Sequence, residues 1–140
     1  MEVLLIDDQA VSVQVYAAIV RKTFSGARVH IALDLSEGLQ IAAHRKLDLV
    51  LLDLMLQNSS GVHTLQKFRR ACPSIAVLVV AAAEDKETIR GCLDAGARGY
   101  VPKTTALATL AGAMQTVLGG GVHVPPEAQR PQLKPAANGG

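Results

Sequence analysis

The 140-residue chain has no tryptophan and only two phenylalanines and two tyrosines. That leaves no aromatic platform on which unpaired bases would stack. The two cysteines, Cys72 and Cys92, fall at apolar helical positions, which predicts buried thiols rather than a disulfide. No apolar stretch approaches the ~20 residues that cross a bilayer. The first strand-like run opens at Val3, leaving no room for a signal peptide, so the chain reads as cytoplasmic. Charge of one sign is also lacking: 14 basic and 12 acidic residues give +2, too little to argue for nucleic acid. The paired cations Arg21-Lys22, Arg45-Lys46 and Arg69-Arg70 sit near predicted helix ends, where they complement the helix dipole. Finally, the first strand-to-helix turn reads IDDQAVS, with no glycine-rich loop to cradle a pyrophosphate. That argues against NAD and FAD.

What is present is a regular alternation. Continuous β-branched or leucine runs at residues 3–6, 28–32, 47–52, 75–80 and 99–101 predict strands buried on both faces of a parallel sheet. Between them the period turns helical. One helix is opened by Asp34 as N-cap with Glu37 three residues on, and another is stopped by Pro73. The clearest carries Leu107, Leu110, Ala111, Met114, Val117 and Leu118, capped by Thr104 or Thr105 and ended by Gly119-Gly120-Gly121. The pattern is (βα)5, an α/β doubly wound parallel sheet with strand order 2-1-3-4-5. From Val122 the composition shifts to Pro, Ala, Gly, Gln and Asn. Residues 122–140 are therefore expected to be a flexible tail or linker behind a domain of residues 1–121.

Within this frame three carboxylates end two buried strands: Asp7 and Asp8 close VLLIDD, and Asp53 closes LDLVLLD. Strand order 2-1-3-4-5 makes the first and third strands neighbours, so the three converge where ligands bind such sheets. Asp7 alone reads equally well as a helix cap, but three converging carboxylates do not. Like charges held close raise each other's pKa unless a cation neutralises them. An all-oxygen set suits a hard divalent ion such as Mg²⁺. Lys103, directly beyond the fifth strand, supplies a further positive charge. Asp53, followed by the accessible loop LMLQNSSG, is the candidate nucleophile for a phosphoryl group. The metal and Lys103 are the electrostatic clamps.

With these residues in hand, the chain resembles the receiver domain of bacterial two-component response regulators. The resemblance covers residues 2 to about 121 and rests on Asp7-Asp8, Asp53, AGARGYVPK ending in Lys103, and the interval from Asp53 to Gly61. The last helix and GGGVHVPPE resemble the NarL/FixJ (LuxR-type) group, in which a linker leads on to a helix-turn-helix DNA-binding domain that this sequence does not contain. The resemblance implies a CheY-like fold and a histidine kinase as phosphodonor to Asp53. It implies Mg²⁺ on Asp7, Asp8, Asp53 and the carbonyl of Met55, with Lys103 touching the phosphoryl oxygens. It further implies a protein that is no enzyme beyond its own phosphorylation and dephosphorylation, and a possible homodimer through the last two helices and strand. DNA would be reached only through an output domain, and no membrane is involved.

Two positions depart from the family pattern. Ala81 stands where the family has the Ser or Thr whose hydroxyl bonds the phosphoryl group. Tyr100 occupies the place of the aromatic residue that turns inward in concert with it; the alternative is a plain amphipathic residue at a strand edge. Weakened switch coupling is the expectation. Gln57 replaces a usual proline, which puts the rigidity of the loop after Asp53 in question. One competing reading is a pseudo-receiver, a protein-interaction module independent of phosphorylation. A haloacid-dehalogenase-type phosphatase is disfavoured, because Met55 stands where that chemistry needs a second acid.

Overall fold

A computed structural model describes residues 1–129. Five strands alternate with helices: β1 (Glu2–Ile6), α1 (Ala10–Thr23), β2 (Arg28–Ala32), α2 (Leu35–His44), β3 (Leu49–Leu52), α3 (Val62–Ala71), β4 (Val77–Ala81), α4 (Lys86–Asp94), β5 (Gly99–Pro102) and α5 (Leu107–Leu118). A single-turn helix, α6 (Pro126–Gln129), follows. The sheet runs β2-β1-β3-β4-β5 and all its pairings are parallel, as the alternating pattern predicts. Strand limits differ from the sequence reading by one or two residues, mainly because β3 and β4 begin later than their apolar runs. No described helix is long and apolar enough to cross a membrane.

The apolar runs divide between two cores because successive side chains in a strand point to opposite faces. Leu4, Ile6, Val50, Leu52, Val77, Val79 and Tyr100 face Leu35 of α2, Leu65 and Phe68 of α3, and Ile89 and Cys92 of α4. Val3, Leu5, Leu49, Leu51, Leu78, Val80 and Val101 face Tyr16, Ala17 and Val20 of α1 and Leu110, Ala113, Met114 and Val117 of α5. Burying one such side chain contributes roughly 1.5–3 kcal/mol, so these two layers are the main stabilising term. Close approach is needed on one side. A Cβ at Gly38 of α2 would collide with the Ile6 side chain.

Register places the strand ends. Ile6 pairs with Leu52, and the ladder continues one residue further, with the Asp53 N–H donating to the Ile6 carbonyl at 3.0 Å. Asp7 and Asp53 therefore leave the sheet side by side.

Helix ends agree with expectation at α2, where Asp34 accepts the Glu37 N–H at 2.8 Å. At α5 they do not. Its N-cap is Ala106, with no side-chain cap. Thr104 instead donates its hydroxyl to Glu84 at 2.9 Å, and the Thr105 N–H closes a turn on the Pro102 carbonyl. That turn delays the helix by a residue and removes both threonines from the capping position. The glycine stop is as expected: the Gly121 and Gly120 N–H groups close on Thr116 and Val117, with Gly120 at φ 93°.

The expected tail from residue 122 is contradicted over its first part. The His123 N–H donates to the Arg98 carbonyl at 2.9 Å, and its own carbonyl accepts the Tyr100 N–H at 3.2 Å. This parallel bridge extends the sheet beyond β5. α6 then packs on α4, with Ala128 fully buried in the same core as Tyr100. Composition misses this because backbone bonds from His123 and a few small contacts, Val124, Pro125 and the Ala128 methyl, hold the segment rather than a run of large apolar side chains. The segment also covers the β5 edge of the surface expected to form a homodimer. The rest of the expected tail, residues 130–140, lies outside the described residues.

Candidate functional site

At the carboxyl ends of β1 and β3, oxygens of Asp7, Asp8 and Asp53 all lie within 4.8 Å of one another. Asp7 and Asp53 are each only 4 % exposed, whereas Asp8 is exposed. The two buried carboxylates are held alike. Asp7 Oδ1 accepts the Gln9 N–H at 2.8 Å, and Asp53 Oδ1 accepts the Met55 N–H at 3.1 Å. The remaining oxygens face Lys103, whose Nζ lies 2.9 Å from Asp7 Oδ2 and 3.0 Å from Asp53 Oδ2. Lys103 is brought there by β5 and by its own N–H, which donates to the Ala81 carbonyl at 2.8 Å.

Burial is the main influence on Asp53 and pushes its carboxyl above the ordinary range. The Met55 N–H and the Lys103 ammonium offset this in part, and the charge of Asp7 adds to it. Burial pulls Lys103 the other way, but its bonds to Asp7 and Asp53 outweigh that and hold the ammonium above its usual value. The cluster is thus anionic and under-neutralised: three carboxylates face one ammonium. The donor set fits a hard divalent ion, being all oxygen. Asp8, moreover, makes no hydrogen bond or ion pair among the described residues. Asp7, Asp8 and Asp53 are the side chains that would hold Mg²⁺.

Three contributors were not legible in advance. Gln9, the N-cap of α1, and Ser12 in its first turn also engage Lys103: Nζ donates to Gln9 Oε1 at 3.0 Å and to Ser12 Oγ at 3.4 Å. Gln9 and Ser12 bond each other at 3.2 Å. Both look like ordinary polar residues at a helix start, and their partner is more than ninety residues away. Thr64 is the third. Fully buried in α3, it donates to the Leu54 carbonyl at 3.0 Å and pairs with the Ser59 hydroxyl at 2.8 Å. Leu56 and Ser59 exchange two backbone bonds across a turn with Asn58 at φ 68°. The loop after Asp53 is therefore held firmly although Gln57 replaces proline.

The β4 end is different in kind. Ala81 is buried and offers only a methyl group, its carbonyl already taken by Lys103. Tyr100 is not at the surface: its ring is fully buried and its hydroxyl donates to the Ala83 carbonyl at 2.7 Å. Burial raises that phenol far above its ordinary value. A separate cavity of about 560 Å³ lies between α2 and the β3–α3 loop, lined among others by Leu35, Leu39, His44, Asn58 and Lys67. None of the acidic cluster lines it.

The family described as the response regulator receiver domain matches residues 3–115. The chain belongs to that family. A glycerol metabolism activator of Pseudomonas putida is 30% identical over 132 residues, which is 94% of this chain and 60% of the relative. Among solved structures, a LuxR family DNA-binding response regulator from Silicibacter pomeroyi is 31% identical with a TM-score of 0.78, covering 89% of this receiver and 97% of that chain. A CheY-like receiver domain protein from Methanospirillum hungatei aligns at 25% identity and a TM-score of 0.75, covering 85% of this chain and 94% of its own. The receiver described here spans about three fifths of the length of the Pseudomonas relative.

Proposed function

We propose that this receiver is a cytoplasmic phosphoacceptor of a two-component system, taking a phosphoryl group on Asp53 from a phosphohistidine of a histidine kinase. The observation that carries the reading is the arrangement around Asp53. A buried carboxylate, oriented by the Met55 N–H, shares Lys103 with Asp7 and lies beside the unpartnered Asp8. In the transfer, an Asp53 oxygen forms the new P–O bond as the P–N bond of the donor breaks. The bonding pair goes to the imidazole nitrogen. Asp7, Asp8, Asp53 and the carbonyl of Met55 would hold Mg²⁺, which would supply neutralisation of charge on the transferring oxygens. Lys103 binds the phosphoryl oxygens, and Gln9 and Ser12 keep its ammonium aimed at the site. The exposed apolar residues Val11 of α1, Met55 and Leu107 of α5 support docking of a protein donor. The chain turns over only its own aspartyl phosphate. Its output passes to a DNA-binding domain of a longer protein.

The test is intact mass after incubation with acetyl phosphate and Mg²⁺. One added phosphoryl group, absent in Asp53→Asn, is the expected result. No gain, under conditions where a control receiver reacts, overturns the proposal. One observation favours the second reading, a pseudo-receiver that acts as a standing interaction module. Tyr100 is already turned inward and bonded to Ala83, and Ala81 has no hydroxyl to report a phosphoryl group.

A further inference from the structure

The cavity between α2 and the β3–α3 loop takes no part in the acidic site, yet its walls have the make-up of a ligand site. Its volume of about 560 Å³ lies within the roughly 300–1,000 Å³ of small-molecule pockets. The floor is apolar. Leu35 and Leu39 of α2 rest on the core, and Ala43 continues the same helical stripe one turn further. The walls are polar, from Gln40 and His44 of α2, Gln57, Asn58 and Ser59 of the loop, and Lys67 of α3. Of the charged or titratable groups around it, two are already engaged. Asp34 is the α2 N-cap and accepts the Glu37 N–H, and His44 Nδ1 bonds the Gln40 carbonyl at 2.9 Å. Lys67 is not: it enters none of the ion pairs among the described residues. An uncommitted ammonium beside an apolar floor selects a negative group carried on an apolar body.

We propose that this cavity is a binding site for a small organic anion, a carboxylate on a short apolar body, and that its occupant steadies the loop after Asp53. The carboxylate accepts from Lys67 Nζ, and the body covers Leu35, Leu39 and Ala43. The link to the loop runs through Ser59, which lines the cavity. Its hydroxyl pairs with Thr64 at 2.8 Å, and Thr64 donates to the carbonyl of Leu54, the residue directly after Asp53, at 3.0 Å. Beside it Asn58 is held at φ 68°, the one non-glycine residue at positive φ among those described. Such conformations persist only where their surroundings fix them. A molecule packed on Asn58 and Ser59 must leave before this turn can open, so binding stabilises the turn by mass action. The site stands whether or not Asp53 accepts a phosphoryl group, because none of the acidic cluster lines it.

The test is a titration of the isotope-labelled full chain with hexanoate, followed by amide chemical shifts. Hexylammonium keeps the body and reverses the charge, and acetate keeps the charge without the body. Hexanoate alone should give saturable shifts at Leu39, Asn58, Ser59 and Lys67, with a Kd of roughly millimolar. No saturation, shifts centred on Lys103, or equal binding of either control overturns the proposal. Lys67→Glu should weaken hexanoate about tenfold or more, while Lys67→Arg retains it. An unchanged Kd in Lys67→Glu overturns the choice of an anion. Ala43→Trp, at an exposed position, should fill the cavity and abolish the shifts at Asn58 and Ser59. Shifts that persist there belong to a carboxylate resting on a surface lysine and overturn the site. Finally, the Ser59 N–H, bonded to the Leu56 carbonyl at 3.1 Å, should exchange about tenfold more slowly at about ten times the Kd. Hexanoate bound with that exchange unchanged overturns its hold on the loop.

Discussion

The carboxyl ends of β3 and β4 are adjacent in the sheet and opposite in chemistry. At β3, Asp53 is surrounded by groups that fix it: the Met55 N–H, Lys103, and a loop tied by Thr64 and Ser59. At β4, Ala81-Ala82-Ala83 offers methyl groups, and the polar contact there is a backbone carbonyl taken by Tyr100. The difference teaches that capturing a charge and reporting its capture are separate structural tasks. The β3 end carries charged groups suited to the first, and the β4 end offers only backbone and ring packing for the second.

The strongest way to break the comparison is at Asp53. Asp53→Asn should abolish phosphoryl incorporation completely by intact mass. Without divalent metal it should also stabilise the fold, because burial holds the Asp53 pKa above its ordinary value. A raised pKa means that the ionised form is penalised in the folded state. The gap between wild type and variant is thus absent at low pH and opens as pH rises through the folded value. Thermal denaturation without divalent metal should show a higher Tm for the variant near neutrality and equal values in acid.

Lys103→Met leaves Asp7 and Asp53 buried without their shared cation. Loss of one partner from such a pair costs roughly 3–5 kcal/mol. Chemical denaturation should show this at neutral pH, with much of the loss recovered on adding Mg²⁺. Ala81→Thr sharpens the other side of the comparison by restoring a hydroxyl at the β4 end. The conformational response to phosphorylation, followed by amide exchange, should grow; an unchanged response would count against Ala81 as the weak point. Because Ala81 is buried, added bulk should cost about 1–3 kcal/mol of stability.

The smallest effect is expected at Asp85, the N-cap of α4, which accepts the Thr88 N–H at 2.9 Å. Asp85→Ala should cost about 1 kcal/mol. Bonds from Thr88, first its hydroxyl and then its N–H, hold the Asp85 carboxyl below the ordinary range. Its contribution is therefore present above that range and lost as pH falls through the lowered value, so variant and wild type should converge in acid.

Much of this was legible in the sequence, for reasons that particular residues make clear. Strands buried on both faces read as unbroken apolar runs, and a carboxylate ending such a run is conspicuous; Asp7, Asp8 and Asp53 were found that way. Asp34 was legible because a cap acts on a residue three positions on. Contacts spanning the chain were not. Nothing local marks Gln9 as a partner of Lys103, or Thr64 as the tie for the loop after Asp53. The α5 cap misled because a turn at Pro102 shifts the helix start past both threonines. Residues 122–129 misled because hydrogen bonds from the main chain carry no side-chain signature.

The His123 bridge also bears on how copies of the chain meet. A parallel sheet has two outer strands, each with unpaired backbone groups that invite pairing with another molecule. At β2, Arg28 forms an ion pair with Glu2 and His30 shares a hydrogen bond with the same carboxylate, which places polar groups along that border. At β5 the border is bridged by His123, with α6 packed beyond it on α4. Without His123, β5 would be a bare margin of apolar residues. Loss of that bridge would then create a site for strand-to-strand assembly, with a risk of aggregation.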